Sequence, residues 1–244
     1  MKPWPYPRWI AHRGAGQLAP ENTLAAFRLG AGYGYRMAEC DVKLSADGVP
    51  FLLHDATLER TTNGRGIAGQ LPWAELSRLD AGSWHSPAHA GEPLPTLQNI
   101  ARWCRANDRL LNIEIKPTPG AEAITGEVVA RHAAASWQAA AVPPLLSSFQ
   151  PDSLHAARKV VPELPRALLL DALRPGWLEQ AEALQCVAVV CRHTLWDAAL
   201  VTQARGAGLR CLGYTVNDPA AAQRLNELGC DGIITDKVDL FAPE

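Results

Sequence analysis

Short apolar runs alternate with longer amphipathic stretches along most of this chain. The runs, bounded by Gly, Pro, Asn or Asp, predict strands over residues 9–12, 37–44, 50–53, 110–116, 144–148, 166–170, 186–191, 210–215 and 232–235. From residue 110 onward the predicted strands begin about every 20–35 residues. That is the spacing of a strand, a crossover helix and the next parallel strand. A helix over residues 23–31 follows Asn22, a residue suited to the N-cap. Another begins at Pro219, with Asn217 or Asp218 as its cap and Gly229 as its stop. Such alternation predicts a parallel sheet covered by helices.

A doubly wound sheet and a closed barrel both satisfy that pattern. If 50–53 folds back on 37–44 as a hairpin, eight parallel strands remain. Eight strands suit an α/β fold of the (β/α)8 TIM-barrel type, for which about 250 residues is typical. The chain has 244. Residues 55–96 break the rhythm with Asn63-Gly64, Pro72, Ser86-Pro87 and Pro93-Leu94-Pro95, and hold one short predicted helix over 73–79. The segment reads as a small insertion after the second strand region, within a single domain spanning 1–244. Long excursions of this kind are often functional lids.

Two strands carry charge where apolar residues belong. Glu39 and Asp41 are two residues apart, as are Glu114 and Lys116. Residues i and i+2 of a strand project from the same face. Inward carboxylates lose hydration and repel one another, so they need a partner. A bound cation is the simplest one. Other polar residues also fall at predicted strand ends: His12-Arg13, His54-Asp55, Ser147-Ser148, His193, Thr215-Val216-Asn217 and Thr235-Asp236. In a (β/α)8 enzyme the carboxyl ends of the strands form the catalytic face.

Charge arithmetic narrows the chemistry. Glu39, Asp41 and Glu114 carry three negative charges against two positive ones on Arg13 and Lys116. A divalent cation reverses the sign of the cluster and makes it attractive to a phosphodiester. An all-carboxylate donor set favours Mg²⁺, Ca²⁺ or Mn²⁺ over zinc. His12 and His54 remain for proton transfer, with an unperturbed imidazole pKa of about 6.5.

The bulk numbers exclude other classes. The formal net charge is −2, and no Lys/Arg-rich block exists, so nucleic acid is not an expected partner. No Cys-x-x-Cys pair occurs among the six cysteines, which read as reduced and structural. The N-terminus has no signal-like apolar stretch, and no apolar run reaches the ~18 residues of a membrane span. A cytoplasmic protein without stable membrane insertion is the expectation, as a monomer or homodimer.

The motifs then fall into a known order. His12-Arg13-Gly14 is followed by Pro20-Glu21-Asn22-Thr23, Glu39-Cys40-Asp41-Val42, Leu53-His54-Asp55 and Asn112-Ile113-Glu114-Ile115-Lys116-Pro117. Ser147-Ser148-Phe149, Tyr214-Thr215-Val216-Asn217 and Asp231-Gly232-Ile233-Ile234-Thr235-Asp236 continue it. The set resembles the glycerophosphodiester phosphodiesterase family, from His12 to Asp236, and is similar to its cytosolic bacterial branch. The resemblance implies a TIM barrel and one divalent cation, Mg²⁺ or Ca²⁺ with Mn²⁺ as an option, on Glu39, Asp41 and Glu114. It implies an acid/base pair at His12 and His54; our own reading favours His12 as base and His54 as acid. Arg13 and Lys116 would hold phosphate oxygens. The implied reaction hydrolyses glycerophosphodiesters to sn-glycerol 3-phosphate and an alcohol, with attack by the glycerol 2-hydroxyl as one route. A lysolipid phosphodiesterase would use the same residues.

Overall fold

The computed structural model describes residues 3–243. In chain order the elements are β1 (Trp9–Ala11), α1 (Leu24–Gly32), β2 (Met37–Leu44), β3 (Pro50–Leu52), α2 (Trp73–Leu76), α3 (Leu97–Ala106), β4 (Leu110–Ile115), α4 (Glu122–Ser136) and β5 (Leu145–Ser148). Then come α5 (Pro151–Val160), β6 (Arg166–Leu170), α6 (Trp177–Ala183), β7 (Ala188–Arg192), α7 (Ala198–Gly206), β8 (Arg210–Tyr214), α8 (Pro219–Glu227) and β9 (Gly232–Thr235).

Ile10 of β1 pairs in parallel with Met37 of β2 on one side and with Ile234 of β9 on the other. This double pairing closes the sheet. The order β1-β9-β8-β7-β6-β5-β4-β2 returns to its start, so the fold is a (β/α)8 barrel. β3 lies antiparallel on β2, with Leu52 opposite Val42, and takes no part in the closure.

Alternation along each strand sorts the side chains. Ile10, Met37, Leu145, Val190, Leu212 and Ile234 pack together inside the barrel. Tyr6 joins them and donates its hydroxyl hydrogen to the Pro143 carbonyl at 2.9 Å. The intervening residues, such as Cys40, Val42, Leu111 and Ile113, pack with buried helix residues. Both faces are therefore dry, which is why the strands read as nearly continuous apolar runs. Helix α3 shows the matching pattern: Leu97, Ile100, Ala101 and Cys104 are buried at helical spacing. Burying one such Leu or Ile contributes about 1.5–3 kcal/mol.

One cap expectation changes and one open choice is decided. Thr23, not Asn22, caps α1, its hydroxyl oxygen accepting from the Ala26 N–H. Asp218, not Asn217, caps α8, accepting from the Ala221 N–H. Both displaced asparagines instead serve the site described below. The insertion helix is also shorter than expected, ending at Leu76 rather than 79. That part of the chain has its own small core of Phe51, Leu53, Leu58, Leu76 and Leu94.

Candidate active site

Residues within, at the ends of and just beyond neighbouring strands converge on one cavity of about 270 Å³. Its walls include His12, Arg13, Glu39, His54, Glu114 and Lys116. Asp41 lies behind them, 1% exposed. The parallel register sets Asp41 opposite Glu114 and Glu39 opposite Asn112, so the carboxylates of β2 and β4 meet side by side.

One oxygen from each of Glu39, Asp41 and Glu114 lies within 4.8 Å of the other two. All three residues are buried. This donor set, oxygen-only and charge-rich, fits a hard divalent cation. Burial together with Asp41 pushes the Glu39 carboxyl up to about 8. Burial and Asp41 also raise Glu114. For Asp41 burial acts in the same direction, but Lys116 and Arg13 override it and hold that carboxyl well below the usual range.

Arg13 and Lys116 are paired with these acids. Lys116 Nζ lies 3.0 Å from Glu114 Oε1 and 3.3 Å from Asp41 Oδ1. Arg13 Nε lies 3.3 Å from Asp41, while its Nη1 donates to Glu21 at 2.8 Å. The Arg13 backbone N–H donates to Glu39 Oε2 at 3.0 Å. Arg13 and Asn22 both take left-handed backbone conformations, with φ of 49° and 60°. Such geometry at non-glycine residues is uncommon and clusters at functional sites. It lets Asn22 reach Asp41 twice: Nδ2 donates to Oδ2 at 2.8 Å, and Oδ1 accepts from the Asp41 N–H at 3.0 Å.

Each histidine has a carboxylate on Nδ1. His12 Nδ1 lies 2.6 Å from Asp236, and His54 Nδ1 lies 2.6 Å from Asp55. Their surroundings push them apart. Burial pulls His12 down, but Asp236 and Glu39 outweigh it and the net shift is upward. Burial, helped by Arg13 and Lys116, lowers His54 despite Asp41 and Asp55.

Several other polar residues have local roles. Trp196 is core, its indole N–H donating to the Leu212 carbonyl at 2.7 Å. His193 does not line the cavity, whereas Phe149 and Tyr214 do, edge to face. His85 and His89 are half-buried, ring against ring in the insertion. Two residues escaped the sequence reading. Lys43 continues the Glu39/Asp41 alternation; it is buried, donates to the Lys116 carbonyl at 3.0 Å, and is pushed down to about 8 by burial. The period-2 pattern alone would have flagged it. Arg60, in the insertion, ion-pairs with both Glu21 and Asp55. No spacing rule would have found it.

A sequence model of the glycerophosphoryl diester phosphodiesterase family matches residues 12–240. The chain belongs to that family. It is accordingly an enzyme of the phosphoric diester hydrolase type. The glycerophosphodiester phosphodiesterase of Caldanaerobacter subterraneus is 32% identical over 234 residues, 93% of each chain. A solved phosphodiesterase from Oleispira antarctica, in complex with the product sn-glycerol-3-phosphate, is 36% identical. It superposes with a TM-score of 0.90 over 95% of this chain and 93% of its own. A glycerophosphodiester phosphodiesterase from Agrobacterium tumefaciens, 27% identical, gives 0.79 over 97% and 99%. Among the described residues of this family member, no helix is long and apolar enough to cross a membrane.

Proposed function

We propose that this protein hydrolyses glycerophosphodiesters to sn-glycerol 3-phosphate and an alcohol, with one divalent cation held by Glu39, Asp41 and Glu114. The observation that carries the proposal is the meeting of three buried carboxylates, two carboxylate-backed histidines, Arg13 and Lys116 at one small cavity. Mg²⁺ and Ca²⁺ suit the oxygen donors, and Mn²⁺ is tolerated by the same set. When bound, the cation supplies Lewis-acid stabilisation of charge on the phosphate oxygens. Arg13 and Lys116, paired with Asp41 and Glu114 here, would be placed to bind phosphate oxygens once those acids held a cation.

The histidines divide the proton work. His54, lowered chiefly by burial, stays neutral near pH 7 and suits the base that takes a proton from the attacking hydroxyl. His12, held at Nδ1 by Asp236, suits the acid that protonates the leaving alcohol. Opposed shifts of this kind mark acid and base partners. This order is the reverse of the one favoured from the sequence. Phe149 and Tyr214 give the cavity an apolar wall for the carbon skeleton of the diester.

The test is a panel of glycerophosphodiesters and lysolipids with Mg²⁺, Ca²⁺, Mn²⁺ or chelator, read by coupled detection of sn-glycerol 3-phosphate. Release that depends on cation and stops with chelator is the expected result. Activity unaffected by chelator defeats the metal assignment, and turnover of lysolipids ahead of glycerophosphodiesters defeats the substrate assignment.

A further inference from the structure

Arg60 stands in the insertion, outside the barrel strands and outside the walls of the cavity. Its guanidinium nevertheless makes four hydrogen bonds to two carboxylates. Nε and Nη2 donate to Asp55 at 2.6 and 3.0 Å. Nη1 and Nη2 donate to Glu21 at 2.7 and 2.8 Å. Paired donors of this kind fix direction as well as distance. Each carboxylate then passes the constraint on. Asp55 Oδ1 faces His54 Nδ1, and Glu21 Oε1 accepts from Arg13 Nη1. Arg13 leads on to Asp41. One side chain of the insertion therefore lies at the centre of a chain running His54–Asp55–Arg60–Glu21–Arg13–Asp41.

We infer that Arg60 is a positioning residue for the reaction proposed above: it locks the ring of His54 and the guanidinium of Arg13 in one mutual geometry and makes the insertion part of the active site. The inference rests on that functional reading for its kinetic arm alone. The physical argument has three parts. Asp55 accepts at Nδ1 of His54, which selects the tautomer that leaves Nε2 free for proton transfer. A carboxylate holding a histidine must itself be held, and outer-shell partners of this kind typically change activity by about 10–100-fold when removed. Arg60 also supplies the positive charge that balances Asp55 and Glu21. Without it, both acids would compete for Arg13 and His54 alone. A lysine at this position keeps the charge but offers no planar fork to either carboxylate.

The clamp also bears on His54 electrostatically. The charged groups acting on His54 include Asp41, Arg13, Lys116 and Asp55. Loss of Arg60 removes a cation from Asp55 and leaves that carboxylate more negative towards the ring. The imidazolium form of His54 is then stabilised, so its titration moves to higher pH.

The experiment compares the wild-type enzyme with Arg60→Met, Arg60→Lys and Arg60→Ala. Expected for Arg60→Met is a fall of about 10–100-fold in kcat/KM, with a cooperative thermal transition retained. The ring resonances of His54, followed by NMR against pH, should titrate at higher pH than in the wild type. Arg60→Lys should lie between wild type and Arg60→Met in kcat/KM. Added guanidinium at millimolar concentration should restore part of the activity of Arg60→Ala, because a free fork can re-enter the gap; damage to folding alone would not be repaired this way. Wild-type kcat/KM in Arg60→Met together with an unmoved His54 titration overturns the inference. Should the wild type hydrolyse no glycerophosphodiester with any cation, the functional reading falls instead, and the His54 titration, which needs no turnover, still decides the clamp.

Discussion

His12 Nδ1 lies 2.6 Å from Asp236 Oδ1, although 224 positions of chain separate them. The contact follows from barrel closure, since Ala11 of β1 pairs with Thr235 of β9. Asn217, from the end of the adjacent β8, completes the arrangement. Its Nδ2 donates to Asp236 Oδ2 at 2.8 Å, and its Oδ1 accepts from the Asp236 N–H at 2.9 Å. Gly16 packs so closely on the Asp236 backbone that a Cβ there would collide with it. Asp236 is thus held from several sides and presents one oxygen to His12.

Asp236→Asn should therefore keep the fold and lose catalysis. The amide would favour the wrong tautomer of His12, as in other carboxylate–histidine pairs where the loss reaches about 10⁴-fold. A drop of about 10²-fold or more in kcat with an unchanged melting temperature is expected. Full activity in the variant would remove Asp236 from the mechanism.

Glu114→Gln addresses the cation. The amide keeps the shape of the ligand and removes one negative charge from the buried cluster. Cation affinity and turnover should fall together, by at least the roughly 10–100-fold that outer-shell changes cost. Calorimetric titration of Mg²⁺ or Mn²⁺ reads the first quantity independently of the second. Unaltered affinity would exclude Glu114 as a ligand.

Cation binding should also release protons. Burial and Asp41 push the Glu39 carboxyl up to about 8, so without an ion it takes up a proton at higher pH than an ordinary carboxylate. A ligand must be deprotonated, and the ion has to displace that proton. Apparent affinity should thus fall as pH drops below about 8, and binding heats should vary with the ionisation enthalpy of the buffer. Equal affinity from pH 6 to 8.5 would contradict this reading.

Adjacent serines on β5 should behave in opposite ways. Ser148 Oγ donates to the Ile115 carbonyl at 2.6 Å and accepts from the Gln150 N–H at 3.1 Å. Ser147 is buried and lines the candidate cavity. Ser148→Ala leaves two groups unsatisfied and should cost about 1–3 kcal/mol. Ser147→Ala breaks no hydrogen bond to the described residues and should change stability by less than about 1 kcal/mol. For a protein of this size 1 kcal/mol is about 2–4 °C in Tm, so thermal unfolding separates the two.

The chain alone determined the order of strands and helices, because apolar runs and helical spacing are local constraints that every element satisfies by itself, whereas the pairing of β1 with both β2 and β9 decided for the closed barrel over an open sheet. It also marked Glu39, Asp41 and Glu114, since charge inside a buried strand is costly enough to stand out without any neighbour in view. His12, Arg13, His54 and Lys116 were legible for a related reason: strand ends in such a barrel share one face. The roles of Asn22, Asn217 and Arg60 as partners were not legible. Asn22 and Asn217 have the chemistry of helix caps, and only the left-handed turn at Asn22 and the closure of β1 on β9 turn them towards Asp41 and Asp236. Arg60 looks like any solvated arginine until the insertion folds back and brings Glu21 and Asp55 to either side of it. Contacts between distant segments depend on how the whole chain packs, and no local pattern encodes them.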